Sequence, residues 1–178
     1  MANNNAANGF LPFSAPYGGN GQAIVTDHDL HATNSEIGIG SPVEIVDGGI
    51  NLATAGTGNA MCGHAAEYKA ASAGGKIKIW SDPQQLFVAQ TDDGTGTATA
   101  LGAVGLNINF IGTGVTNQRS TAELDESSAA TGATLQYKIM GLSPEVQGNA
   151  VNAFGEFNRL VVKINNHQFQ GSTGTAGV

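Results

Sequence analysis

KIKIWSDPQQLFVAQTDDG, Lys76–Gly94, is the best-patterned stretch of the chain, and its reading decides the fold class. Ile77 and Ile79 alternate with Lys76, Lys78 and Trp80, the period of a half-buried strand. Leu86–Gln90 is a second apolar run. Between them Ser81-Asp82-Pro83-Gln84 reads as a turn. Proline presets φ at a turn's second position, and an aspartate before it bonds the backbone. The stretch therefore predicts a hairpin, with Lys76 and Lys78 on its outer or partner-facing side and Trp80 either there with them or rotated by the turn into the core.

The same period recurs on either side. Val43 and Ile45 share a face in GSPVEIV (Gly40–Val46). Leu106, Ile108 and Phe110 alternate in Val104–Gly112, Leu135, Tyr137 and Ile139 in Thr134–Leu142, and Leu160, Val162 and Ile164 in Asn158–Phe169. Asp47–Ala66 is rich in Gly, Ala and Thr and reads as a loop, with a further strand from about Ala66 through Tyr68. Only Ser120–Ser127 hints at helix, through a capping-box pairing of Ser120 with Glu123. The expectation is an all-β fold, an antiparallel barrel or sandwich with an extended N-terminal arm and little helix.

Three divisions follow: an arm over residues 1–35, a β-domain over 36–170 and a flexible tail over 171–178. The arm lacks either apolar period, yet carries Phe10, Pro12, Phe13 and Tyr17. With no periodic core pattern there, removing residues 1–20 is expected to leave a folded domain. Spaced aromatics in such an arm fit ordering against another surface, so Phe10, Pro12, Phe13, Tyr17 and Trp80 are the candidate partner contacts. The small-residue loops Asp47–Ala65 and Ser143–Ala153 join them.

Composition narrows the function. Of 178 residues 40% are apolar but only 6% aromatic, 12% are charged and 26 are glycine. Small side chains bury little area, at roughly 25 cal/mol per Å², so the core is lean and partners are expected to add stability. The net charge is −7 and the seven cations are scattered. No basic stripe exists to release counterions from nucleic acid, and this surface is not drawn to anionic lipid. The single cysteine, Cys62, allows no internal disulfide. The first residues show no signal-peptide pattern, so synthesis in a cytoplasm is expected.

The chemistry-bearing residues form no recognised constellation. His28 and His31 in TDHDLH with Cys62 and His64 in MCGH make four zinc-type ligands, but neither pair has finger spacing. Cys62 lacks a positioned base. Glu123, Asp125 and Glu126 read as solvated carboxylates rather than an acid–base pair. Asp92-Asp93-Gly94 is a fragment of a calcium loop without its other ligands. The glycine-rich segments fit neither phosphate- nor dinucleotide-binding patterns. The expectation is a non-enzyme with no metal and no cofactor.

Several short motifs run in order along the chain: Gly9-Phe10-Leu11-Pro12, Ile39-Gly40-Ser41-Pro42-Val43, Asp82-Pro83, Phe87-Val88-Ala89-Gln90, Gly105-Leu106-Asn107, Arg119-Ser120, Glu123-Leu124-Asp125, Ile139-Met140-Gly141-Leu142 and Val162–Gln168. In this order they resemble the small head decoration, or cement, proteins of tailed bacteriophages. The resemblance implies a structural virion protein on the outer capsid surface, made in the bacterial host cytoplasm. It would bind the major capsid protein as a homo-oligomer, a trimer ahead of a dimer, and cement neighbouring capsomers against internal DNA pressure. Two other readings remain open: a tail or baseplate structural protein of a phage, and a carbohydrate-binding module using Trp80, Tyr68 and Tyr137.

Overall fold

The computed structural model describes residues 3, 5–13, 23–92, 100–144, 146–147, 150–171 and 174–178. In chain order the strands are β1 (Leu11–Pro12), β2 (Val25–Asp29), β3 (Pro42–Val46), β4 (Gly49–Leu52), β5 (Gly63–Ala65), β6 (Lys76–Trp80), β7 (Leu86–Gln90), β8 (Asn107–Ile111), β9 (Val115–Thr116), β10 (Arg119–Ser120), β11 (Glu123–Ala130), β12 (Tyr137–Leu142), β13 (Val146–Gln147), β14 (Ala150–Val151) and β15 (Arg159–Ile164). Among the described residues the only helical element is a 3-10 turn, Leu101–Ala103. The fold is all-β and antiparallel, a sandwich of two curled sheets rather than a closed barrel.

Lys76–Gln90 does not form a hairpin. Its turn is as expected: Gln84 N donates to Asp82 Oδ1 at 2.8 Å and Gln85 N to Asp82 O at 3.0 Å. The two strands, however, belong to different sheets. β6 pairs with β2 and β5, whereas β7 pairs with β1 and β15. Ile77 and Ile79 fill one core while Phe87 and Ala89 fill another, so the turn carries the chain between sheets.

The two sheets share one topology. In the first, the order is β2-β6-β5-β3-β4; in the second, leaving aside β1, it is β7-β15-β12-β8-β11. Numbered within each unit, both read 1-5-4-2-3. In each unit a parallel bridge ties the residue just after the first strand to the third strand, Leu30 to Ile50 and Thr91 to Leu124. The following amide then donates to the bridge partner, His31 N to Ile50 O and Asp92 N to Leu124 O, both at 3.0 Å. Register agrees too: Asp29 faces Lys76 as Gln90 faces Arg159, and Val25 faces Trp80 as Leu86 faces Lys163. The chain is thus a tandem of two equivalent five-stranded units, with the β9–β10 and β13–β14 hairpins inserted in the second.

Local chemistry explains the turns. Asp47 and Gly48 have φ of 47° and 81°, the two-residue turn whose twist matches a hairpin, and join β3 to β4. That hairpin lies inside the stretch expected to be a loop. β5 likewise ends before Ala66, where a strand was expected to begin. Ser120–Ser127 is strand, not helix: Ser120 Oγ accepts from Ala122 N at 3.1 Å, and β11 pairs with β8.

Alternation distributes the side chains. Ala65 and Ile79 point into the core of the first curl, with Leu30, Ile37, Val43, Ile50, Cys62 and Ile77. Their neighbours His64 and Trp80 point the other way, toward the larger core lined by Phe87, Phe110, Leu124, Tyr137, Ile139, Leu160 and Val162.

Both ends depart from expectation. Residues 1–35 contribute β1 and β2 to the sheets. The C-terminal residues expected to be flexible are pinned where described. Asn107 Nδ2 donates to Thr175 O, Lys138 Nζ to Ala176 O, Gly177 N to Thr131 O and Val178 N to Gly105 O, at 2.7–3.1 Å.

Candidate partner-contact site

Phe10 is fully buried, not a partner contact. Its ring lies on Tyr137, centroids 4.6 Å apart and planes 7° apart, and on His64 at 4.9 Å. Phe110 meets it edge-on at 6.5 Å. Sequence pattern alone does not reveal this, because a single aromatic in an aperiodic segment carries no period.

Close backbone approach lets Phe10 enter. Phe10 N donates to Gly40 O at 2.9 Å. Gly9 has φ of +65°, and a Cβ there would stand 2.6 Å from Ser120 Cβ and 2.8 Å from Gly40 O. A Cβ on Gly38 would stand 2.6 Å from Ser120 N. Ile39 and Arg119 form a parallel bridge, closed by Ile39 N to Gln118 O at 2.9 Å and Ser120 N to Ile39 O at 3.0 Å. Three motifs distant in sequence, Gly9-Phe10, Ile39-Gly40 and Arg119-Ser120, therefore meet at one junction.

Beneath Phe10 runs a buried polar chain. His64 Nε2 and Tyr137 Oη are 2.7 Å apart, and Tyr137 Oη lies 3.5 Å from Met61 Sδ. Among the described residues His64 Nδ1 has no hydrogen-bond partner. The arrangement that strands no buried proton has His64 Nε2–H donating to Tyr137 and Tyr137 O–H donating to Met61. Burial holds His64 well below its usual pKa, helped by nearby His167, and holds Tyr137 well above. Both are neutral.

The other candidates sit at the margins. Pro12 and Phe13 are half-buried: Pro12 pairs with Phe87 in β7 and Phe13 N donates to Leu86 O at 2.8 Å. Tyr17 lies outside the described residues. Trp80 is half-buried and packs on the larger core, because the end of β6 runs beneath the second sheet. Lys76 and Lys78, on the same face, remain exposed and pair with Asp29 and Asp27 at 3.1 and 3.0 Å. Of the loop candidates, Asp47–Ala65 is largely built into β4 and β5. Ser143–Ala153 carries β13 and β14, with Val151 exposed.

The chemistry-bearing residues stay apart. Cys62 lies in the first core, its thiol donating to Val43 O at 3.4 Å and pushed up to about 12 by burial. His64 faces the other core. His28 bonds Thr26 and His31 bonds Thr33. Among the described residues no three of His, Cys, Asp and Glu are placed to hold a metal. Glu123 accepts from Gln90 Nε2 at 3.0 Å, and burial raises its pKa, with Asp92 adding to the rise. Asp125 accepts from Ser127, while Glu126 is turned to the buried face beside Leu124. Tyr137 is buried, and Tyr68 Oη donates to Glu36 at 2.9 Å, so the three aromatics named for a sugar make no common exposed face.

No family model, no curated protein and no solved structure matches this chain.

Proposed function

We propose that this chain is a structural virion protein that binds the outside of a tailed-phage capsid and ties neighbouring capsomers together. The observation that carries the reading is the junction of Gly9-Phe10, Ile39-Gly40 and Arg119-Ser120. Three motifs of the resemblance, scattered over some 110 residues, are the ones this fold needs in contact. As a fold signature they support a cement-protein scaffold rather than chance matches. The major capsid protein is the partner. The protein acts as a homo-oligomer, a trimer before a dimer, at the virion surface.

Mechanistically, a rigid β-scaffold that binds only the assembled shell shifts the shell's equilibrium away from rupture by mass action. Several modest contacts on one lattice multiply through effective concentration. The test is to heat shells lacking the protein, with and without purified protein added back. Decorated shells burst at a higher temperature. Shells that bind the protein yet burst at an unchanged temperature defeat the cement reading.

A further inference from the structure

We infer that the outer edge of β2, at Val25–Asp27, is a strand-addition site for an extended segment of a partner protein carrying a basic residue. The inference stands on the tandem architecture and holds whether or not that partner is a capsid.

The second unit shows what such an edge does. There Leu11–Pro12 lies antiparallel on the outer edge of β7, Leu11 opposite Val88 and Pro12 opposite Phe87, and Phe13 N donates to Leu86 O at 2.8 Å. Superposing the registers makes Leu86 the counterpart of Val25 and Val88 the counterpart of Asp27. Orientation is the same in both units. Leu30 N donates inward to Gly75 O at 2.8 Å, and Thr91 N inward to Asn158 O at 2.9 Å. Counting back by twos, the residues between those inward-facing ones, Val25 and Asp27, turn their N–H and C=O outward. Among the described residues nothing bonds these groups. Among the described residues the first unit therefore keeps open the position its twin has filled.

The side chains say what fits. Ile24 and Val25 are 59% and 45% exposed, an apolar foothold beside the free edge. Asp27 and Asp29 follow on the outer face, each held by one lysine of β6 and open to solvent on its other side. A second copy is a poor occupant. β2 carries two aspartates and no Lys or Arg, and the antiparallel register centred on Asp27 sets that carboxylate against its own copy. A basic strand meets no such repulsion. Main-chain bonds then give affinity, and the aspartates give selectivity.

The probe is a capped hexapeptide alternating lysine and valine, with a glutamate–valine hexapeptide as control. Binding is followed in the full chain by amide chemical shifts and hydrogen exchange. The lysine peptide is expected to bind saturably, protect the Val25 and Asp27 amides and bind at least ten-fold tighter than the glutamate peptide. Asp27→Lys reverses that preference. Val25→Pro removes an amide the fold does not use, so it abolishes binding while the melting transition is retained. Three outcomes overturn the proposal: equal or absent binding of both peptides, protection of these amides in the free monomer, or protection that rises with protein concentration alone, which makes the occupant a second copy. If Val25→Pro unfolds the chain, Asp27→Lys decides alone, and an unreversed preference refutes the site.

Discussion

Phe10 lies flat on Tyr137, ring centroids 4.6 Å apart and planes 7° apart. A segment without any apolar period thus supplies one of the largest side chains of the main core. Phe10→Ala removes a stacked ring from a fully buried site and is expected to destabilise by about 3–5 kcal/mol, the range for core aromatic truncation. Chemical denaturation checks it. Deleting residues 1–13 is expected to do at least as much damage, reversing the expectation that the arm is dispensable for folding. A deletion variant as stable as the full chain refutes the core assignment.

Gly9→Ala tests the junction. The new Cβ meets Ser120 Cβ and Gly40 O inside contact distance, in a left-handed conformation that alanine dislikes. A loss of about 2 kcal/mol or more is expected. Ser120→Gly in the same chain removes one of the two clashes and recovers part of the loss. A double-mutant cycle with no coupling means that the two residues do not touch.

Truncating residues 174–178 removes the carbonyls that accept from Asn107 and Lys138 and the amides that donate to Thr131 and Gly105. Asn107 is buried and keeps its other bond, to Gly132 O. A loss of about 1–3 kcal/mol is expected, the scale for a buried polar group left short of a partner. Faster hydrogen exchange in β8 and β12 accompanies it. An unchanged denaturation midpoint shows that the tail is not part of the fold.

The sequence made the strand content legible because period-two alternation is local: Ile77 and Ile79, Leu160 and Val162, and Tyr137 and Ile139 all face inward. Pairing is not local. Nothing between Trp80 and Leu86 says whether two strands joined by a good turn share a sheet. The Asp47-Gly48 hairpin was readable, since Asp-Gly between Val43, Ile45 and Ile50 is a strong turn signal, but the surrounding small residues obscured it. The tandem architecture leaves little trace, because VTDHD and LFVAQ share position and register but almost no chemistry. Among the contact candidates, Pro12, Phe13 and Trp80 proved half-buried, and Phe10 proved to be core. Aromatic content alone does not tell an anchor for a partner from an anchor for the chain itself.

Acid sensitivity follows from two buried histidines. Burial lowers His64 well below 6.5 and lowers His167 to about 4, with Lys163 pushing His167 the same way and Asp82 opposing. In the unfolded chain both titrate near the ordinary value, about 6.5. Between that value and the folded ones the unfolded state binds protons that the folded state refuses. Stability is therefore fully present above about pH 6.5 and falls as pH drops toward 4. His64 and His167 both act in this direction, each refusing in the folded state a proton that the unfolded chain accepts. Glu123 works in the opposite sense, since its raised pKa lets it take up a proton before an unfolded carboxyl does. One glutamate offsets only part of two histidines. Denaturation midpoints from pH 7.5 to 5 measure the slope, and imidazole NMR signals assign it. If the signals of His64 and His167 titrate near pH 6.5 in the folded protein, neither side chain is held neutral and the slope has another source.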